Sequence, residues 1–433
     1  MTNACNESGT SARKISDWMT LRSLAEQFGF GALLIFAAVW PLTHNAAIKN
    51  LSLVAMILAL AVSVHDARLR HAIRSRFFWI MAGFALLALL SATWAVDSSY
   101  SLNAVRKHFI PVLVFFGSLV VFCKTRAQLH ILITTLLISV GIRALGTLFE
   151  IQIDSRETGI FWKGFPLDAP AYIPLMLSLA FAFKDWRRYL GIFATMATLL
   201  ALMLSGNRTG VVAAIVGGTT LLLLVGQRKQ LLFSLIGLAA IAMILNVAQP
   251  ELWKKFSVIT DSASYRGPNA ISGRGAIWQA TAEIAMERPW LGHGFGWKTL
   301  GMTAKRDGFV DRWRTDEDPA KQAAAEYFSL PDDKINPHNL FLQLMYEVGL
   351  LGLSVYMVLF LLILVTAWDI WRRTSETLVL ALIAATAAYA TTNLTNGLWW
   401  GNGATLWVLP LLEIVRQSAL PQAYESESSP HSP

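Results

Sequence analysis

Charge is what this chain has least of. Only 15% of its 433 residues are charged, against 55% hydrophobic, whereas a soluble globular chain carries about 25% charged residues. That shortage argues against a water-soluble enzyme, and the apolar abundance excludes disorder over most of the length. Cysteine is nearly absent: Cys5 and Cys123 are the only two. Neither falls in the large polar segment 249–337, so disulfides and thiolate metal sites are not expected. No Gly-Lys-Ser/Thr phosphate loop occurs, which argues against chemistry driven directly by nucleotide hydrolysis. No Gly-x-Ser-x-Gly nucleophile elbow occurs either. No stretch looks like a nucleic-acid module, although the formal charge is +8.

Long apolar runs are what the chain has in quantity. A bilayer takes about 20 apolar residues per helix. Runs near 27–43, 48–64, 76–96, 108–123, 127–150, 168–184, 188–206, 208–226, 229–248, 338–366, 376–394 and 397–415 predict about twelve transmembrane helices in an all-α polytopic membrane protein. The start MTNACNESGT lacks the basic and apolar regions of a cleavable signal peptide, so the first helix is expected to be an uncleaved anchor. The expected organisation is a segment 1–26, membrane helices over 27–248, a loop or cap over 249–337, helices again over 338–415, and a disordered tail over 416–433.

Basic residues fix the expected orientation. One set of alternate loops holds Arg13, Lys14 and Arg22, then Arg68, Arg70, Arg74 and Arg76, then Lys124 and Arg126, Lys184, Arg187 and Arg188, Arg228 and Lys229, Arg372 and Arg373, and Arg416. The short opposite loops hold Lys49, Arg106, Lys107, Arg156, Lys163 and Arg208. A Lys/Arg excess marks the cytoplasmic side, so both termini are expected inside, and the positive charge is largely a topology signal. The segment 249–337 then faces outward. It carries 12 basic and 12 acidic residues, and a loop of that length is expected to fold into a small helical cap.

Three outward positions carry candidate chemistry. The first is INPHNLFLQLMYEVGLLG, where Pro337 favours a helix start or the turn just before it and so places His338 at the first turn. His338, Leu342, Met345 and Gly349 then share a face, while Glu347 lies about half a turn around, too far for a direct pair with His338. Glu347 should face another helix or a polar cavity, because an ionisable group inside a membrane is costly. A neutral histidine at such an entrance suits a general base; position alone favours an interfacial histidine that merely hydrogen-bonds to backbone. The second is the turn SGNRTG over 205–210. Arg208 opens a helix whose first N–H groups are unpaired, a good anion site, or it snorkels to the interface. The third is SGRGAIWQATAEIAMERPWLGHGFGW. Ser272 is expected as its N-cap, with Ile277, Thr281, Ile284 and Ala285 as an apolar stripe that could lie on the membrane-embedded part. Arg274 in the first turn opposes the helix dipole unless an anion shares the site. Arg288, 14 residues on, reads as structural. Gly292, Gly294 and Gly296 lack the strand and helix of a dinucleotide fingerprint.

No metal and no other cofactor is expected: the eight histidines are scattered, and no His/Asp/Glu cluster has ligand spacing on the outward side. Asp316, Glu317 and Asp318 read as a solvated face, and Asp332 and Asp333, though near His338 in sequence, read the same way.

These residues resemble the O-antigen ligase and polymerase superfamily. His338-Asn339-x-x-Leu342-x-x-x-x-Glu347-x-Gly349-x-x-Gly352 looks like its signature at the end of a large periplasmic loop. Ser205 to Gly210 resembles its Ser-Arg-Gly-type motif, with Thr209 between Arg208 and Gly210. Ser272-Gly273-Arg274 with Trp278 and Pro289-x-x-Gly292-x-Gly294-x-Gly296 resembles its loop motifs, and Trp94, Ser98 and Ser101 fit as well. The resemblance implies a GT-C-like, metal-independent, inverting glycosyltransferase at the periplasmic face of a Gram-negative inner membrane. Its donor would be a glycan on undecaprenyl pyrophosphate and its acceptor lipid A–core oligosaccharide, with membrane lipids around it. It further implies that Arg208 and Arg274 hold the pyrophosphate, His338 activates the acceptor hydroxyl, and Asn339 and Glu347 support it. Two guanidinium groups could stabilise the leaving group where other enzymes use a metal.

Three other readings share parts of this pattern. An O-antigen polymerase and a protein O-oligosaccharyltransferase share the donor. A lipid or anion transporter fits the helix count, but transporters often carry repeats, and none stands out here.

Overall fold

The computed structural model describes residues 4–42, 45–153, 160–162, 164–230 and 274–396, with isolated positions between 232 and 250. Among them every regular element is a helix. Along the chain these are α1 (Ala4–Val39), α2 (Ala46–Val62), α3 (Ala67–Ile73), α4 (Arg76–Ser91), α5 (Ser98–Phe122), α6 (Arg126–Gln152), α7 (Phe165–Ala182), α8 (Trp186–Leu204) and α9 (Arg208–Leu224). After the polar loop begins come α10 (Arg274–Glu287), α11 (Thr299–Arg306), α12 (Phe309–Arg314), α13 (Pro319–Phe328), α14 (Leu340–Thr374) and α15 (Thr377–Asn393).

Among the described residues six helices are long and apolar enough to cross a membrane: the Leu21–Val39 part of α1, and α5, α6, α7, α8 and α14. Four shorter apolar helices, α2, α4, α9 and α15, pack among them. Ten of the twelve expected spans thus have a helix. The spans at 229–248 and 397–415, the latter wholly and the former for most of its length, lie outside the described residues, as do Ser272 and the tail.

Local chemistry sets the helix starts. Asp97 accepts from Tyr100 N at 2.8 Å, which begins α5 ten residues before the expected apolar run. Thr125 and Gln128 form a capping box on α6, in which two otherwise orphaned amides are satisfied reciprocally. Helix contact inside the bundle relies on small residues. A Cβ on Gly217 of α9 would lie 2.8 Å from Ala388 Cβ of α15 and 2.9 Å from Pro174 Cγ of α7. A Cβ on Gly210 would lie 2.7 Å from Pro166 O. Helices α7, α9 and α15 therefore form a tight trio, and α9 presents Arg208 at its first position.

One buried ion pair escaped the sequence reading. Arg143 of α6 and Asp168 of α7, both nearly inaccessible, pair at 3.3 Å, and Arg143 Nε donates to Phe161 O at 3.1 Å. Glu150 accepts from the amides of Phe161 and Trp162. A lone arginine in an apolar run was the available signal. The cluster fastens the α6–α7 connection at the end of the bundle where α9 starts.

Helices α10 to α13 form a cap with its own core of Ile277, Ile284, Leu300, Phe309, Trp313 and Phe328, closed by Tyr346 of α14. The stripe Ile277, Thr281, Ile284 and Ala285 is buried in the core that Tyr346 of α14 closes, and α10 packs against α14 and α13. At 35 residues α14 would run about 50 Å if straight, far beyond a hydrocarbon core of about 30 Å, so its first turns reach into the cap.

Helix α14 is broken at Gly349, whose φ is 67° and ψ −172°. The break frees the carbonyls of Tyr346 and Glu347 and the amides of Leu350 and Leu351, which would otherwise pair within the helix. The loop after α10 takes up all four groups. His293 N donates to Tyr346 O at 2.7 Å and Gly294 N to Glu347 O at 3.0 Å, while Leu350 N donates to Pro289 O at 2.7 Å and Leu351 N to Trp290 O at 3.3 Å. The glycines of this loop serve the close approach: Gly292, Gly294 and Gly296 all have positive φ, and a Cβ on Gly292 would meet the Tyr346–Val348 backbone at 2.6 Å. The α4–α5 turn clamps the same loop. Trp94 Nε1 donates to Gly292 O at 3.1 Å, Ser101 Oγ to Phe295 O at 2.6 Å, and Phe295 N to Ser91 Oγ at 2.9 Å.

Candidate functional site

The expected site residues occupy three helix starts. Arg208 is the first residue of α9, behind Asn207, whose Oδ1 accepts from Gly210 N at 2.7 Å. Arg274 is the first residue of α10. His338 lies two residues before α14, and Asn339 is the N-cap, its Oδ1 accepting from Phe341 N at 2.9 Å and Leu342 N at 3.1 Å. The expectation that His338 sits in the first turn is thereby corrected, while Pro337 lies just before the helix. Asn339 has both amides in reach, and an N-cap asparagine defines a helix start better than a proline two residues earlier. His338 therefore does not share a helical face with Leu342, Met345 and Gly349.

These starts are stitched together. Thr209 Oγ1 lies 2.6 Å from Thr395 Oγ1, just past the end of α15. Asn339 Nδ2 donates to the neighbouring Leu394 O at 3.1 Å. The turn carrying Arg208 and the turn carrying His338 are thus joined through one short stretch of chain. Arg274, on the cap, is linked to the other two electrostatically. Burial first, and then repulsion from Arg208, lowers its pKa. Burial first, and then the Arg274 charge, pushes the His338 pKa from 6.5 to about 4, so its imidazole is neutral near pH 7.

The electrostatics of the arrangement are unfavourable in isolation. A cation at a helix N-terminus opposes the macrodipole, as Arg208 does at the start of α9. An anion would offset that cost, since a helix start and an arginine fork bind one together. His338 adds backbone strain: its φ of 50° makes it, with Ser375, one of two described non-glycine residues in the left-handed region. That conformation costs on the order of 1–3 kcal/mol and is retained where surroundings enforce it.

Glu347 stands apart from the imidazole. It is fully buried and accepts from Gln343 Nε2 at 2.8 Å, and its backbone carbonyl belongs to the Gly294 contact. The expected lack of a direct His338–Glu347 pair agrees with this, and Glu347 supports the α14 break. Asp332 is held by Lys305 at 2.7 Å. Asp316 pairs with Lys321 at 2.7 Å, and Asp318 N-caps α13. The acidic residues thus do structural work, and among the described residues no group of three could hold a metal ion. Arg288, beyond the far end of α10, is exposed and lines an open cleft of about 260 Å³ with Trp94 and Trp290.

Residues 193–357, which include all five expected site positions, match the family model described as O-antigen ligase. The chain is also similar to an O-antigen ligase of Pseudomonas aeruginosa, 24% identical over 332 residues that cover 74% of this chain and 72% of that protein. The two matches bear out the O-antigen ligase resemblance carried by the motifs.

Proposed function

With an O-antigen ligase family domain over residues 193–357 in a polytopic helical membrane protein, we propose that this chain moves a polysaccharide from undecaprenyl pyrophosphate to lipid A–core oligosaccharide. The reaction takes place at the periplasmic face of the inner membrane, with both termini cytoplasmic, on a GT-C-type scaffold. What supports this reading is that the turns bearing Arg208 and His338 are tied through Thr395 and Leu394, and that Arg274 interacts electrostatically with both Arg208 and His338. In the transfer, His338 accepts the proton of the acceptor hydroxyl as its oxygen attacks the anomeric carbon. The bond to the pyrophosphate oxygen breaks on the opposite face, which inverts the centre. Arg208 and Arg274 take up the negative charge that grows on the departing undecaprenyl pyrophosphate. The base assistance is worth roughly 10²–10⁴-fold.

The direct test incubates the purified protein in detergent with an undecaprenyl-pyrophosphate-linked glycan and lipid A–core. Glycan-extended lipid A–core supports the reading. A product formed only from two lipid-linked glycans makes the protein a polymerase, and a product with either acceptor, in detergent with no second compartment, rules out pure transport.

The depressed His338 pKa also sets the pH dependence. A base works only when unprotonated, so the rate should stay level from neutral pH down to about 5 and fall as pH passes through about 4. Removing the neighbouring cation makes protonation easier, so Arg274→Gln should move this acid limb upward, toward the ordinary value of 6.5. A rate profile measured from about pH 4 to 8 reads the position of the limb independently of its height.

A further inference from the structure

Asn336 and Tyr327 have no part in the chemistry described so far, yet they surround the strained backbone at His338. Asn336 Oδ1 accepts from His338 N at 2.7 Å. This short side-chain turn satisfies the amide that the left-handed conformation turns away from ordinary partners. Asn336 is itself held at both backbone groups by one phenol: its N–H donates to Tyr327 Oη at 3.0 Å, and Tyr327 O–H donates to its carbonyl at 3.0 Å. Tyr327 belongs to α13 and is followed by the fully buried Phe328, while Ile335, just before Asn336, is also fully buried in the cap core. The Arg274 charge reaches Tyr327 as well as His338. The phenol therefore touches the segment that bears the imidazole and interacts electrostatically with the arginine.

We propose that Asn336, clamped by Tyr327, is a positioning residue that holds His338 in its left-handed backbone conformation and so keeps the imidazole beside Arg274. The inference rests on the base role of His338 given above and adds the device that aims it. The cap thereby sets the direction of a side chain that belongs to the start of a membrane helix. A misplacement of about 1 Å at a reacting group can cost on the order of 10²-fold in rate, so the backbone at His338 is a sensitive place to lose a hydrogen bond.

The test measures transfer by the full-length protein with undecaprenyl-pyrophosphate-linked glycan and lipid A–core. Asn336→Ala is expected to lower kcat by about 10- to 100-fold, with KM for the donor unchanged within about twofold. Asn336→Asp, which keeps an acceptor oxygen at the same place, should recover most of the rate. Asn336→Ala should also move the acid limb of the pH profile from about 4 toward 6.5, as the imidazole swings toward water, a change that loss of packing alone would not produce. Tyr327→Phe removes one hydroxyl and should lower kcat in the same direction by a smaller factor, which keeps the test decisive if Asn336→Ala fails to fold. A wild-type kcat in Asn336→Ala or Tyr327→Phe, equal impairment of the Ala and Asp variants, or a loss confined to KM overturns the proposal. His338→Ala separates the two readings. Inactive His338→Ala beside fully active Asn336→Ala removes the positioning role alone, whereas active His338→Ala removes the base itself.

Discussion

Replacing His338 with glycine should abolish transfer while leaving the protein as stable as before, or slightly more so. The two effects have separate causes. Loss of the imidazole removes the proposed base, for a fall of roughly 10²–10⁴-fold. Stability moves the other way because glycine enters the left-handed region without the steric cost that His338 bears at φ 50°. His338→Ala should be equally inactive but should keep the strain, since alanine has the same Cβ conflict. Thermal unfolding in detergent beside the transfer assay reads both quantities on one preparation. A histidine that only hydrogen-bonds to backbone at the interface would give the opposite pattern, with activity retained in all three proteins. Substantial transfer by His338→Gly would therefore end the case for base catalysis at this position.

The layout of the bundle was legible because hydropathy is local: about 20 consecutive apolar residues have one good environment, and helices appear at ten of the twelve expected places. The site was legible as residues and illegible as geometry. Arg208 and Arg274 were suspect for the same dipole reason that holds in the structure. How Arg274 lies relative to Arg208 depends on how the cap closes over the bundle, which no local pattern encodes. At His338 two local rules competed. Proline favours a helix start, but Asn339 offers a capping oxygen to two amides, and the residue before a proline, here Asn336, tends to be extended. Weighing the cap above the proline would have placed His338 outside the helix. The Gly292–Gly294–Gly296 run was rightly separated from nucleotide binding, yet its real partner is a break at Gly349, far along the chain. A backbone-to-backbone fit of that kind leaves only glycines as its trace in the sequence.

That fit makes Gly292→Val the most damaging substitution expected outside the pocket. An added Cβ would lie 2.6 Å from the Glu347 carbonyl carbon, the Tyr346 oxygen and the Val348 nitrogen. All three are backbone atoms of a packed helix, so none can rotate aside. The φ of 69° adds strain for a β-branched residue. To relieve the contact the loop must lift off α14, and the four hydrogen bonds across the break go with it. Leaving such buried groups unpaired costs about 1–3 kcal/mol each, so the total should be at least about 4 kcal/mol, a large part of a typical folding free energy of about 5–15 kcal/mol. Gly218→Ala in α9 is the matched control. Nothing lies within 4 Å of its added Cβ, and alanine favours a helix by up to about 1 kcal/mol over glycine, so that variant should melt at or slightly above the wild-type temperature. Gly292→Val should melt well below it or yield little folded protein. Transfer should fall with it even in the folded fraction, because the α14 segment before the break leads directly back to Asn339 and His338. If Gly292→Val melted with the wild type, the loop would not be seated on the break, and its backbone contacts would not be what ties the cap to α14.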